Sequence, residues 1–457
     1  MSPPDASADS LPAGHRRWWR VGQNAGALVA ARVVSGLCQL ALVPLLLGLL
    51  GTERFGWVMA LVALAGLSQF ADLGTAMALQ QKLSEAWARS DAAGLRQTYA
   101  AGRRLLLILG LAWFVLAAPA AWWLGSRLLS VPAGAGGLQS QLSWLVVAVA
   151  ITAGVPLSAG PRLAAALQFG WIAAAWTAAC NIATLAAIWA VVETGRGGIV
   201  LVITILCAGQ LLPGVVTAWH VARRLGWTGP SPADSAAVWN LWHAGRKFAA
   251  PNIAGALLLA AAPAAVARFG GYGASAAFSV LQRLFGTAQQ AHAIVLAPLW
   301  PAWAEAAGQG EATWIRRSLT LALGFTAAVC AGLALVAAVL PGIVHVWLGA
   351  NALVPPASST WLVAGWISLS LFIQVLSYYL LGLGRLERVA LPVAVAHGCT
   401  LALVALLGSF FGGTGVIAAL AAGAALGVLP LVVRESVAAS REPARKNSTG
   451  DAAGATL

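Results

Sequence analysis

Long apolar runs recur along the chain with only short polar interruptions, and they decide most of what it can become. A helix that crosses the hydrocarbon of a bilayer needs about twenty predominantly apolar residues, and runs of that length repeat from about residue 22 to about residue 433. With 60% hydrophobic and 9% charged residues in a chain of 457, no water-soluble interior could absorb so many apolar side chains. Lipid must be the solvent.

The expected fold is therefore all-α, a polytopic membrane protein of about twelve transmembrane helices. Six spans are expected at 22–49, 56–80, 104–125, 141–160, 168–191 and 198–219, and six more at 248–268, 274–299, 318–340, 359–381, 389–410 and 414–433. Pro44, Pro119, Pro156, Pro213 and Pro263 lie inside these runs, where membrane helices tolerate proline as a kink. The interruption at 221–247 holds Pro230 and Pro232 and reads as a cytoplasmic linker. The organisation is then a cytoplasmic tail at 1–20, an N-terminal six-helix lobe at 21–220, the linker, a C-terminal lobe at 248–433 and a second cytoplasmic tail at 434–457. The first apolar run lacks the length and cleavage pattern of a removed signal and reads as a retained helix. The stretch from Lys82 to Arg104 reads as a helical continuation of the second span, with Trp87 and Tyr99 at headgroup level.

The net charge of +13 does not point to nucleic acid, because the basic residues stand singly or in pairs between apolar runs rather than in a stripe. They report topology. Of the 27 Lys and Arg, Arg32 and Arg283 fall inside spans, Arg54, Arg127, Arg196 and Arg268 fall on one side, and all the others fall on the opposite side. The positive-inside rule then puts both termini in the cytoplasm and supports an even number of spans.

Cys38, Cys180, Cys207, Cys330 and Cys399 lie within apolar stretches with no CxxC or Cys/His spacing, so they read as small core residues and no metal site is expected. His292 and His397 stand alone, without a metal-ligand partner, and read as structural. Most of the 21 Trp residues, among them Trp122, Trp123, Trp303 and Trp347, fall near expected span ends and read as interfacial belts. Trp176, Trp189 and Trp366 lie deeper and are candidates for cavity walls.

The two sets of six spans resemble each other weakly. Gly51 matches Gly270, Ala86-Trp87-Ala88 matches Ala302-Trp303-Ala304, Arg103-Arg104 matches Arg316-Arg317, and Trp123-Leu124-Gly125 matches Trp347-Leu348-Gly349, at separations of 213 to 224 residues. Halves of six spans both start from the same side, so the repeat is parallel, about an axis along the membrane normal.

Ionisable groups inside a span cost several kcal/mol and mark function by default. Arg32 shares a helical face with Ser35 and Gln39, and Arg283 shares one with Ser279, Thr287 and Gln290. Asp72, near Gln69 and Thr75, is the one carboxylate deep in the apolar runs. Further polar stripes are Thr177, Asn181 and Thr184 on the fifth span and Ser370, Gln374, Ser377 and Tyr378 on the tenth. Guanidinium groups match phosphate bidentately, and amides and hydroxyls match sugars. Arg32, Arg283, Gln39, Gln290, Gln374, Tyr378 and Asn181 are therefore the candidate substrate-binding residues, in a net basic cavity between the halves for an anionic, hydroxyl-rich headgroup. Asp72 is the candidate for ion coupling, or else neutralises Arg32 or caps a backbone turn. Hydroxyls and amides in such stripes also serve as interhelical glue.

The stretch LVPLLLGLLGTERFGWVMALVALAGLSQFADLGTAMALQQKLSEA, residues 42–86, resembles the polysaccharide biosynthesis branch of the multidrug, oligosaccharidyl-lipid and polysaccharide exporter superfamily. The elements that carry the resemblance are Pro44, Leu50-Gly51 followed by Phe55-Gly56, and Asp72-Leu73-Gly74. In the second half they are Phe278-Ser279-Val280-Leu281-Gln282-Arg283 and Leu296-Ala297-Pro298. The resemblance implies a flippase that moves an undecaprenyl pyrophosphate-linked oligosaccharide, an O-antigen or exopolysaccharide repeat unit, to the periplasmic leaflet by alternating access. It implies no resident cofactor, optional Na+ or H+ coupling, membrane lipids as surroundings, and a polysaccharide polymerase and glycosyltransferases as functional partners. The chain has fewer spans than the related lipid II flippases, which argues against a peptidoglycan role.

The nearest rival is a cation-coupled multidrug exporter of the same fold, which would ordinarily need more carboxylates facing its cavity. A membrane polysaccharide polymerase or ligase would carry a large periplasmic loop with catalytic Arg or His, and the loops here are short. A scaffolding role is a third alternative.

Overall fold

The computed structural model describes residues 13–69, 71–129, 136–195, 197–227, 229, 234–296, 299–349 and 353–441. Among the described residues the chain is helical throughout, with no strand. The first half comprises α1 (Ala13–Ala65), a 3-10 turn (Gly66–Gln69), α2 (Thr75–Ala88), α3 (Ala92–Leu128), α4 (Gly137–Leu157), α5 (Ala159–Ala166), α6 (Gly170–Thr194) and α7 (Ile199–Arg224). The second comprises α8 (Ser235–Leu296), α9 (Leu299–Gln309), α10 (Ala312–Ala338), α11 (Leu340–Leu348), α12 (Ala357–Gly382), α13 (Leu386–Ala422), a π-helical turn (Gly423–Val428) and α14 (Leu429–Arg441).

Three of these helices run through a non-helical glycine, and the longest of them far exceed one crossing. At about 1.5 Å per residue, the 53 residues of α1 would extend about 80 Å against a hydrocarbon core of about 30 Å. Each is interrupted where the sequence leaves a gap between spans: α1 at Gly51 (φ 71°, ψ 166°), α8 at Gly271 (φ 82°, ψ 172°) and α13 at Gly412 (φ 63°, ψ −146°). A side chain with a β-carbon is strained at such φ values, and glycine is not. Counting α1, α8 and α13–α14 twice, and α3, α4, α6, α7, α10 and α12 once, accounts for the expected twelve crossings. Eight stretches of the described residues are long and apolar enough to span, including Leu28–Ser68 and Leu386–Arg441. The chain is a polytopic membrane protein.

Several expectations are corrected. The second span is not one helix: α1 ends at Ala65, the chain passes through positive φ at Leu73 (52°) and Gly74 (78°), and a new helix starts at Thr75. The stretch from Lys82 to Arg104 is likewise broken, at Ser90 (φ 56°), and α3 begins after Asp91, whose carboxylate accepts from the Gly94 amide at 2.8 Å. Tyr99 is buried, 5.4 Å from the Trp227 ring. The backbone partner of Gly51 in the repeat is Gly271, not Gly270. Cys399 is exposed, so only part of the cysteine set is core. Trp303 is no belt residue: fully buried, it donates its indole N–H to Ser318 Oγ at 2.8 Å and meets Tyr379 edge-on at 5.7 Å. The linker is shorter than expected, since α7 runs to Arg224 and α8 starts at Ser235. Residues 1–12 and 442–457 of the expected tails lie outside the described residues.

Contacts gather the chain into two compact units, one comprising the residues through Leu49 with Leu64–Ala249, the other Leu50–Ala63 with Ala250–Leu457. In the first, α4 runs between α3 and α7, and α6 packs on α7. Its core includes Leu79, Leu83, Leu106 and Leu163. In the second, α12 is central, touching α9, α10, α13 and α14 around Trp303, Val375, Tyr379 and Leu380. The segment Leu50–Ala63 belongs to this unit by close packing. Phe55, Trp57, Val58 and Leu61 have no exposed surface, Ser275 Oγ donates to the Gly56 and Pro263 carbonyls at 3.2 and 3.0 Å, and a β-carbon on Gly56 would overlap the Tyr272 carbonyl.

Candidate functional site

In the first unit, polar side chains gather around the break in the second span. Once the helix stops at Ala65, the amides that open α2 need acceptors. Asp72 supplies them: buried, it accepts from Gly74 N at 3.0 Å through Oδ1 and from Ala76 N at 3.3 Å through Oδ2. The Ala71 carbonyl beside it accepts the Trp113 indole N–H at 2.8 Å. Arg162 of α5 lies close enough to act on the Asp72 carboxylate, and its guanidinium reaches Gln80 Oε1 at 3.2 Å and Met77 Sδ at 3.3 Å. The cation that accompanies Asp72 is thus Arg162, a residue that sequence reading had counted only as a topology signal. Spacing could not bring it forward, since α5 stands 82 residues after Gln80.

Arg32 is exposed on α1, while Ser35, one turn on, is buried and Gln39 is half-buried. Asn181 is half-buried on α6. Its neighbours Thr177 and Thr184 each donate to a backbone carbonyl one turn back, Ala173 O and Cys180 O, both at 2.8 Å, which leaves their hydroxyl protons engaged within the helix. Trp176 donates to His220 Nδ1 at 3.2 Å, and Trp189 is exposed. Beyond the spans, Lys82 Nζ lies 3.0 Å from Glu85. The hydrogen bond from this ammonium holds the Glu85 carboxyl below its ordinary range, so Lys82 adds no net charge to the face of α2.

In the second unit, Arg283 is half-buried on α8, with its guanidinium 3.7 Å from Met59 Sδ. Ser279, one turn back, is buried and its hydroxyl has no partner among the described residues. Thr287 donates to Leu284 O at 2.6 Å, and Gln290, at the far end of the stripe, is exposed. On α12, Ser370 donates to Trp366 O at 2.8 Å, Tyr378 is half-buried, and Trp366 stacks on Phe278 at 6.2 Å as core.

Gln374 is engaged in a way the sequence did not suggest. His292, read from sequence as structural, places Nδ1 3.1 Å from Gln374 Oε1 and Nε2 2.9 Å from Thr326 Oγ1. The imidazole lies parallel to Phe325, with interplanar angle 3° and centroids 5.6 Å apart. The triad joins α8, α10 and α12, and no sequence signal points to it, because Thr326 and Gln374 stand 34 and 82 residues from the histidine.

No protein-family model and no curated protein matches the chain. Solved structures share its fold. A multidrug resistance MATE family transporter of the MOP superfamily, in an inward-facing conformation, aligns with a TM-score of 0.64 at 15% identity over 90% of this chain and 95% of that one. The lipid II flippase MurJ, in an inward closed conformation, aligns with a TM-score of 0.68 at 10% identity over 90% and 87%. A MOP superfamily transporter from Pyrococcus furiosus, whose binding pocket is described as reversed in polarity, gives 0.59 at 14% identity over 92% and 97%. At these identities the likeness is one of architecture.

Proposed function

We propose, from a fold shared with membrane transporters, that the chain is an alternating-access flippase for an undecaprenyl pyrophosphate-linked oligosaccharide. In this reading it moves an O-antigen or exopolysaccharide repeat unit from the cytoplasmic to the periplasmic leaflet of a bacterial inner membrane, with both termini in the cytoplasm. The observation that carries the reading is the state of Asp72. The one carboxylate deep in the apolar runs has both oxygens on backbone amides, and the other two charges in the spans, Arg32 and Arg283, are cationic. A site of that polarity suits a pyrophosphate or acidic sugar better than a cationic drug.

In this reading Arg32 of the first unit and Arg283 of the second each act on the anionic headgroup, Gln39 and Asn181 of the first and Gln290, Gln374 and Tyr378 of the second meet sugar hydroxyls, and the lipid tail stays in the bilayer. An inside-negative potential favours outward movement of an anion by about 2.3 kcal/mol per charge per 100 mV. No bond is made or broken. The competing reading, a cation-coupled drug exporter, is supported by the same fold.

A deletion strain decides between them. Loss of surface polysaccharide with build-up of lipid-linked repeat units, reversed by the wild-type gene, is the expected result; sensitivity to cationic drugs with intact polysaccharide overturns it. Full export from the Arg32→Ala, Arg283→Ala double variant would remove the site assignment.

A further inference from the structure

We propose that His292, with Thr326 and Gln374, is a proton-binding site of the C-terminal unit and that its occupancy is coupled to the transport cycle. The argument starts from the hydrogen count. Thr326 Oγ1 lies 2.7 Å from the Ala322 carbonyl and donates its single proton there. At 2.9 Å from His292 Nε2, the hydroxyl can therefore only accept, so Nε2 carries a hydrogen. The other ring nitrogen, Nδ1, faces Gln374 Oε1 at 3.1 Å, and an amide oxygen is also only an acceptor. Both nitrogens meet acceptors, and the species that satisfies both is the imidazolium.

Gln374 also provides for the neutral ring. A half-turn about its last torsion exchanges the amide oxygen for the NH2 group, which donates to a bare Nδ1. Both protonation states are then fully hydrogen-bonded although His292 is 1% exposed, and proton exchange requires no other group to move. A histidine retained for packing would need only one of the two states. Phe325, parallel to the ring, holds its plane through the exchange.

The hydrogen bonds of the triad involve no charged side chain. On α10, Cys330 stands one turn beyond Thr326 and points its thiol to Ser368 O at 3.8 Å, and Arg316 and Arg317 lie at least nine residues before Thr326. On α12 there is no charged residue, and the titratable neighbours of Gln374 are Tyr378 and Tyr379. Arg283, nine residues before His292 on α8, falls on the opposite face. With no carboxylate bonded to the ring among the described residues, its protonation follows the proton supply. Because the triad ties α8 to α10 and α12, taking up a proton reverses the donor and acceptor roles across the α8–α12 contact, and a ligand that favours one packing shifts the population toward it.

The coupling half of this proposal rests on the transport function proposed above; the binding half does not. The test is a 15N titration of the histidine imidazoles in the full chain in lipid nanodiscs, with His292→Gln assigning the signal. His292 is expected to pass from a one-proton to a two-proton ring between pH 5 and 8, and Gln374→Leu to abolish or shift that transition. A neutral ring in one tautomer across this range overturns the site. In cells, collapsing the proton gradient is expected to lower wild-type export several-fold, and gradient-dependent export that survives in His292→Gln overturns the coupling. If the wild-type gene restores no polysaccharide, the flippase reading fails, and the titration still decides the site.

Discussion

Gly56 meets the backbone of Tyr272 so closely that a β-carbon there would overlap the Tyr272 carbonyl, with the Ala276 amide nitrogen next nearest at 3.1 Å. The obstacle is backbone on both counts and cannot swing aside. Gly56→Val is therefore expected to lower the stability of the detergent-solubilised protein by about 1–3 kcal/mol, as overpacking of a close-packed site does. Thermal unfolding followed by tryptophan fluorescence checks it, and an unchanged midpoint would show that the first half of the second span does not pack this tightly.

Asp72 offers a sharper pair of substitutions. If its work is to cap the amides of Gly74 and Ala76, Asp72→Ala should cost about 0.5–2 kcal/mol, whereas Asp72→Asn, which keeps one acceptor oxygen, should fold nearly normally and retain export. Should Asp72→Asn be as stable as wild type but inactive, the charge itself would be required and Asp72 would return as the ion-coupling candidate.

Arg283 tests the headgroup chemistry. A lysine keeps the charge but replaces a planar fork with a point donor, so Arg283→Lys should reduce polysaccharide export by about tenfold, the equivalent of about 1.4 kcal/mol, with little change in stability. Equal export from the Lys and wild-type forms would show that charge alone suffices.

Glu435 on α14 accepts from Arg388 at 3.4 Å and forms an ion pair with Arg385 at 3.8 Å, both at the start of α13. Arg388 is 59% exposed on its side chain, so screening limits what the cluster contributes. Glu435→Gln is expected to cost no more than about 1 kcal/mol, and less at high salt. Melting curves at low and at molar salt separate this from a packing defect, which salt would leave unchanged.

The number and kind of the elements are legible from hydropathy because lipid leaves helices almost no competitor. The interruptions at Gly51, Gly271 and Gly412 coincide with gaps in the apolar runs for the same reason. The break at Leu73-Gly74 was only partly visible: Asp72 beside it could be read as capping a turn, but hydropathy carries no record of φ. The partners of Arg162 and His292 were hidden for another reason. Their partners, Asp72 and Gln80 for the one, Thr326 and Gln374 for the other, come from different helices, and helical spacing orders only residues on the same helix. In the stripes on α6 and α12, Thr177, Thr184 and Ser370 give their protons to their own backbone, which helical spacing does not record.

The assignment of Leu50–Ala63 to the second unit has a practical consequence for anyone who divides this molecule. The polypeptide passes between the units at Leu49–Leu50, at Ala63–Leu64 and at Ala249–Ala250, so severing it in the interruption between the sixth and seventh spans does not yield two self-sufficient pieces. The amino-terminal fragment would carry Phe55, Trp57 and Leu61 with nothing to bury them against, and the carboxy-terminal fragment would present the bare groove they fill. Fragment complementation should therefore succeed only when both pieces are made together, with each serving as the other's folding template.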